Sequence, residues 1–161
     1  MPTTASPAWP ATPPWDCPWR WKRSSPRTGG AHGRGAIGRR MGPVSGFVFQ
    51  APSEPTLYWV GDSIWCEAVQ SAIAQHRPDI IVTHSGGATK PGFDPIIMDA
   101  RETLRVARSA PDAVVVAVHM EALDHCPVTR RELRRSAEEA GIPASRLLIP
   151  ADGEIMRLPQ P

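Results

Sequence analysis

The 161-residue sequence predicts an α/β fold, and three observations support this prediction. From residue 44 onward, short apolar and β-branched runs alternate with amphipathic stretches, which is the pattern of strands joined by crossover helices. Two of those stretches begin with a capping residue that is followed three positions later by Glu. The hydrophobic fraction of 41% is also large enough to build a packed core.

The first elements of this region are a predicted hairpin, a helix and a buried strand. VSGFVFQ (44–50) and TLYWVGD (56–62) flank the turn-rich pentapeptide APSEP, which favours a hairpin. An apolar stripe over 64–76 predicts an amphipathic helix. This helix should end at Arg77, because proline disfavours helical backbone in the residue before it. DIIVTHSGG then predicts a short strand followed by a polar, glycine-rich loop.

Two capping boxes predict the remaining helices. Asp99 with Glu102 opens a helix over roughly 100–109. Thr129 with Glu132 opens a second helix, which runs to a C-terminal glycine at position 141.

Between and after these helices lie the last predicted strands. DAVVVAVHM (112–120) is the most strongly apolar run and predicts a strand that is buried on both faces. RLLIP and EIMRL, joined by Ala151-Asp152-Gly153, predict a closing hairpin. The predicted element order from residue 44 is therefore ββ-α-β-α-β-α-ββ.

The N-terminal segment has a different composition from the rest of the chain. Residues 1–45 carry a net charge of +6 and the remainder −4, within a total of +2. Prolines interrupt every short apolar run in residues 1–31, which predicts a disordered arm before a partial domain over 32–161. Trp19 and Trp21 alternate with cations in WRWKRSSPR, which could suit nucleic acid. We favour an unselected tail over that interpretation, because no folded platform surrounds the two rings.

Two compositional features limit the class of protein. No apolar run approaches the roughly 18 residues that a membrane-spanning helix needs, which argues against an integral membrane protein. The three cysteines at positions 17, 66 and 126 contain no CxxC pair and cannot all be paired in disulfides. This usage predicts a reducing compartment, the cytoplasm, and argues against a zinc ribbon.

Polar side chains end three of the predicted strands. Asp62 ends TLYWVGD, His84 ends DIIVTH and His119 ends DAVVVAVH. Side chains at the carboxyl ends of neighbouring strands tend to face a ligand crevice, and imidazole with carboxylate suits zinc. Each residue also has a structural alternative. Asp62 could cap the following helix, His84 could be an ordinary loop residue, and His119 could be a core histidine.

Three segments carry a resemblance to a known family: the glycine-flanked histidine of TGGAHGRG, the aspartate of LYWVGDS, and the first histidine of VVVAVHMEALDHCP. From about residue 28 to 158 the chain resembles the C-terminal half of a metallo-β-lactamase-fold hydrolase. It is most similar to the lactonase-like branch that includes ascorbate-6-phosphate lactonases. The resemblance implies an αββα sandwich in which His32, Asp62 and His119 bind metal and Asp62 bridges two ions.

The same resemblance implies the chemistry. The ions would be zinc or another divalent metal, and a metal-bound hydroxide would hydrolyse a small-molecule lactone, ester or phosphodiester. VTHSGGA resembles a substrate-side segment of this branch, which makes His84 a candidate catalytic residue beside Asp62.

The chain also departs from the family pattern. The family's HxHxDH motif would precede His32, and it does not occur in this sequence. We therefore expect a truncated or frame-shifted product, with a catalytically inactive remnant as the alternative. A missing half should leave an apolar face of the sheet uncovered at VSGFVFQ and TLYWV, which favours homo-oligomerisation.

Overall fold

A six-stranded sheet and three helices form the fold in the computed structural model, which describes residues 20–24, 44–89 and 95–158. The strands are β1 (Arg20–Ser24), β2 (Gly46–Gln50), β3 (Leu57–Trp59), β4 (Ile80–His84), β5 (Val114–Val118) and β6 (Leu147–Leu148). The helices are α1 (Glu67–His76), α2 (Ala100–Ser109) and α3 (Arg130–Glu139). The predicted α/β class is confirmed. Within the described residues, no helix has the length and apolar character needed to cross a bilayer.

The strands lie in the sheet in their order along the chain. β1, β2 and β3 pair antiparallel, and Phe47 lies opposite Trp59 in the predicted hairpin, which is therefore confirmed. β3, β4, β5 and β6 pair in parallel, each joined to the next through one of the three helices. Because parallel strands end at the same edge of a sheet, this topology gathers the residues that follow β3, β4 and β5.

Strand β1 lies within the segment 1–31, where we expected no regular structure. Its backbone pairs with β2, from Arg20 opposite Gln50 to Ser24 opposite Gly46. The expectation was wrong for these five residues because RWKRS contains no proline and can donate to the exposed edge of β2. Residues 1–19 and 25–43, which include Trp19 and His32, lie outside the described residues, so the predicted disorder there stays a prediction.

The predicted closing hairpin is wrong. Leu147 and Leu148 pair in parallel with β5 instead, Leu147 lying opposite Val115. The Ala151-Asp152-Gly153 turn does form, and the Glu154 amide donates to the Ala151 carbonyl at 3.2 Å. The residues after this turn form no strand within the described part of the chain. Their apolar side chains, Met156 and Leu158, pack instead on the sheet face opposite the helices.

The helix ends follow from local side-chain chemistry. Asp99 accepts a hydrogen bond from the Glu102 amide at 2.8 Å, and Thr129 accepts one from the Glu132 amide at 3.1 Å. Both predicted caps are confirmed. Helix α1 begins later than predicted, after an N-cap at Cys66 that makes no side-chain capping bond, so Asp62 does not cap it.

The two faces of the sheet are packed differently. All three helices cover one face, in a core whose fully buried members include Tyr58, Ile81, Val115, Leu133 and Leu147. The opposite face holds a smaller cluster of Ile80, Val82, Val114 and Val116. Strand β5 contributes to both clusters, which confirms that it is buried on both faces. The cover is incomplete near β3, where the Trp59 side chain is 41% exposed.

Candidate metal site

Asp62, His84 and His119 meet at the carboxyl edge of the parallel strands. Each offers one ligand atom, and the three atoms lie within 4.8 Å of one another. Asp62 and His119 are exposed, and His84 is half-buried. The structure therefore brings together the three strand-ending residues that the sequence singles out.

Asp62 and His84 form the closest contact of the site. His84 Nδ1 lies 2.5 Å from Asp62 Oδ1. A neutral imidazole donates its Nδ1–H to the carboxylate in such a contact, which leaves the Nε2 lone pair available to a cation or a proton. The His84 side chain is 16% exposed and the Asp62 side chain 55%, so the pair faces outward with its histidine anchored in the sheet.

The turn before Asp62 explains why the carboxylate leaves the line of the strand. Gly61 has φ 74, and a Cβ at this position would lie 3.0 Å from the Ser45 carbonyl oxygen. The Ser63 amide donates to the Gly61 carbonyl at 2.9 Å and closes the turn. A residue other than glycine would be strained here, so Gly61 sets the direction in which Asp62 points.

Aromatic contacts orient the two imidazoles. The His84 and His119 rings are stacked, with centroids 4.8 Å apart and an interplanar angle of 21°. Trp59 meets His84 edge-on at 5.7 Å and 81°. His119 is exposed, so the alternative of a buried core histidine is wrong. These contacts restrict the rotation of His84, which is half-buried, while His119 stays exposed.

A glycine fixes the backbone beneath His119. A Cβ at Gly86 would lie 2.4 Å from the His119 carbonyl oxygen and 3.0 Å from the Cys126 Cβ. The residues just before this pair are also in contact, since the Ser85 amide donates to the Val118 carbonyl at 2.9 Å. Sequence reasoning missed this role, although two successive glycines so soon after a strand are a signal of close backbone approach.

Cys126 lies beneath the same glycine and takes no part in the ligand set. Burial, and to a smaller extent the negative charge of Asp62, raises the pKa of the Cys126 thiol above its usual range. The thiol therefore stays protonated near neutral pH, which disfavours it as a nucleophile or a metal ligand.

The donor set has the chemistry of a zinc site. Two imidazole nitrogens and one carboxylate oxygen are borderline to hard donors of the kind that zinc accepts, and catalytic zinc sites commonly use three protein ligands plus water. His32, which the family resemblance assigns as a ligand, lies outside the described residues.

Comparisons with known proteins find one curated relative. No family model matches the chain. The chain is 40% identical over 129 residues to the UPF0173 protein YddR of Bacillus subtilis (strain 168). The aligned residues make up 80% of this chain and 50% of that relative. The chain thus spans about half the length of the curated relative it matches.

Two solved structures are also matched over about half of their length. An isothiocyanate hydrolase from Delia radicum gut bacteria is 34% identical with a TM-score of 0.79, over 89% of this chain and 56% of that one. A possible metal-dependent hydrolase from Veillonella parvula DSM 2008 is 30% identical with a TM-score of 0.77, over 86% and 53%.

A more distant structure defines the fold. The metallo-β-lactamase fold protein YhfI from Bacillus subtilis is 15% identical with a TM-score of 0.59, over 91% of this chain and 52% of that one. The described sheet and its one-sided helices correspond to a part of that fold. The chain therefore has the metallo-β-lactamase fold, over about half the length of these structures.

Proposed function

We propose that Asp62, His84 and His119 bind a divalent metal ion, and that the chain contributes this site to a metal-dependent hydrolase. One observation carries the proposal: three ligand atoms from the ends of three neighbouring strands lie within 4.8 Å of one another. The similarity to a possible metal-dependent hydrolase at 30% identity supports it independently. Zinc is the ion that the donor set favours.

The chemistry would be divided between the ion and the side chains. A divalent ion supplies Lewis acidity and makes a water molecule acidic near neutral pH. Asp62 holds His84 in the tautomer whose Nε2 is unprotonated, because it accepts the Nδ1–H. The stacked His119 ring and the Trp59 edge keep His84 in that orientation. The side chains thus provide a preorganised polar edge beside an exposed aromatic surface.

The substrate is proposed as a small molecule with an electrophilic centre that water can attack. Lactones, esters and phosphodiesters follow from the resemblance to the lactonase-like branch. The isothiocyanate hydrolase adds isothiocyanates, and its 34% identity makes them the first class to assay. We also expect His32 to be a further ligand, a second ion to be bound through Asp62, and the chain to work in the cytoplasm. Homo-oligomerisation through the sheet face at VSGFVFQ and TLYWV stays a prediction, and nucleic-acid binding by the arm stays the less favoured alternative.

Metal binding by the whole chain tests the proposal. Purified protein would be stripped with chelator and dialysed against zinc, and bound metal would be measured in the wild type and in Asp62→Ala, His84→Ala and His119→Ala. We expect the wild type to retain zinc and each variant to lose at least about tenfold in affinity. His125→Ala is the matched control, because His125 is an exposed histidine outside the cluster and should bind as the wild type does.

The outcomes separate the competing hypotheses. Equal zinc retention by the wild type and the three variants would contradict the site and favour the inactive remnant. If His84→Ala retains zinc but loses hydrolysis, His84 has the catalytic role alone, as the resemblance suggests. Hydrolysis of an isothiocyanate, a lactone, an ester and a phosphodiester would then be compared in zinc and in chelator.

A further inference from the structure

The loop that follows β5 has an unusual backbone. His119 and Glu121 both have φ 61, in the left-handed region that residues other than glycine rarely adopt. Met120 between them is buried, at 2% exposure. Two such residues within one tripeptide persist only where the surrounding structure holds them. The contacts of Glu121 therefore decide how firmly the His119 backbone is held.

Arg130 supplies those contacts. It is the first residue of α3, and its backbone amide donates to Glu121 Oε1 at 3.0 Å. Its guanidinium Nη1 donates to Glu121 Oε2. The remaining guanidinium donors reach the turn after β6, through Nε to the Pro150 carbonyl at 2.7 Å and through Nη2 to Asp152 Oδ1. One planar group thus ties the loop after β5 to α3 and to the C-terminal turn.

The exposure of the three charged groups ranks these contacts. The Arg130 side chain is 24% exposed, that of Glu121 37% and that of Asp152 91%. The Glu121 contact is the better shielded of the two ion pairs, and Glu121 also accepts a hydrogen bond from the Arg130 backbone amide. The Glu121 hydrogen bond is the largest of the influences that raise the pKa of Arg130. Solvent screens the Asp152 contact more strongly, so the Glu121 pair should dominate.

We infer that Arg130 is a positioning residue for the metal site: it holds the Glu121 carboxylate in place, which keeps His119 in its left-handed conformation with the imidazole against His84. This inference rests on the proposed function and adds to it a residue that touches no ligand atom. A guanidinium suits this role better than an ammonium, because its planar fork bonds Glu121 and the Pro150 carbonyl together.

The test compares two arginines that lie one turn apart on α3. Arg130→Ala removes the guanidinium bond to Glu121 and keeps the bond from the backbone amide. Arg134→Ala is the control, because Arg134 Nη1 donates to the Leu147 carbonyl at 3.0 Å and also links α3 to the sheet, away from the His119 loop. Zinc affinity of the whole chain and the NMR resonances of the His119 imidazole would be measured in each variant, together with the melting temperature.

The expected result is a weakening of zinc binding of about 3- to 10-fold in Arg130→Ala, less than the roughly 10- to 100-fold cost of changing a group that bonds a metal ligand directly. The His119 resonances should also move in the metal-free protein. Arg134→Ala should lower the melting temperature and leave both readouts unchanged. Arg130→Lys should restore part of the affinity, since an ammonium can still pair with Glu121. Equal zinc affinities in the two alanine variants, or unmoved His119 resonances in Arg130→Ala, would overturn the inference.

Failure of the proposed function would be seen separately. If the wild type binds no zinc, the metal site is wrong, and the His119 resonances of the metal-free variants still decide whether Arg130 positions that residue. If Arg130→Ala does not fold, Glu121→Gln takes its place, because glutamine keeps the size of the side chain and loses its charge. It should shift the His119 resonances in the same direction, and unmoved resonances in that folded variant would overturn the inference.

Discussion

The two faces of the sheet are built from the same strands and differ in what covers them. On the helix side, residues such as Ile81, Val115 and Leu147 are completely buried under α1, α2 and α3. On the opposite side, Ile80 and Val114 are covered in part by Met156 and Leu158 of the C-terminal segment. The candidate site lies at the carboxyl edge of the sheet, beside the exposed Trp59 of that second face. Stability and function are thus separated across one sheet.

This separation follows from the alternation of side chains along each strand. Successive residues of β4 point to opposite faces, so Ile81 enters the helix-side core while Ile80, Val82 and His84 share the other face. A residue on the second face can be polar at the strand end without disturbing the larger core. Matched substitutions on the two faces should therefore lower the free energy of unfolding by unequal amounts.

Adjacent isoleucines in β4 give the largest expected difference. Ile81→Ala should destabilise the protein by about 3–5 kcal/mol, because it opens a cavity in the closed helix-side core. Ile80→Ala should cost about 2 kcal/mol, because the thinner cover of the second face can relax into the space. Urea unfolding of both variants measures the free energies. Equal losses would show that the two faces are equally well packed.

Gly86→Ala tests whether close packing holds the site edge in place. The added Cβ would meet the His119 carbonyl at 2.4 Å, so the loop must shift, and we expect a loss of about 1–3 kcal/mol. Weaker zinc binding should accompany it. Gly141→Ala is the control, because a Cβ there meets nothing within 4 Å and only its φ of 70 is strained. A shift of the His119 resonances in the control as well would rule out the local explanation.

Glu102 is a polar defect on the helix side and gives the smallest expected effect. Its Oε2 is buried and has no hydrogen-bond partner among the described residues. Burial, and then the charge of Asp99, raises the pKa of Glu102 above its ordinary value of 4.5. The ionised form is therefore disfavoured in the folded protein, and its contribution to stability falls as pH rises from 4.5 through the raised pKa.

Glu102→Gln removes this titration. At pH 7 the variant should be more stable than the wild type by about 1 kcal/mol, since the amide carries no buried charge. The difference should shrink as the pH falls below 4.5 and disappear well below it, where the wild-type carboxyl is protonated both folded and unfolded. Thermal melts at a series of pH values check the sign. A stability difference that is the same at pH 4 and pH 7 would contradict the argument.

Local chemistry made much of the fold predictable from the sequence. The caps at Asp99 and Thr129 and the apolar run of β5 depend on neighbouring residues, and they were predicted correctly. The final hairpin was not, because Leu147 and Leu148 pair with β5 and pack on the two faces of the sheet, which gains more than pairing with EIMRL. Strand β1 also depends on a distant partner, since its pairing uses the edge of β2.

The grouping of the site residues was predictable from the sequence, and the contacts among them were not. Parallel strands with polar last residues place Asp62, His84 and His119 at one edge, and this rule needs only the order of the elements. The stacking of the imidazoles and the contact between Asp62 and His84 depend on backbone angles that the sequence does not display. In a sequence, a left-handed backbone is usually indicated by glycine. His119 and Glu121 are left-handed without being glycines, so neither their conformations nor the role of Arg130 could be predicted.

A zinc titration followed by histidine NMR tests the central claim most directly. The imidazole resonances of His84, His119 and His125 would be assigned through single substitutions, and zinc would then be added to the metal-free chain. We predict that the resonances of His84 and His119 shift together and saturate at one affinity, while those of His125 stay in place. Zinc that leaves His84 and His119 unchanged, or that shifts His125 equally, would contradict a metal site at this edge of the sheet.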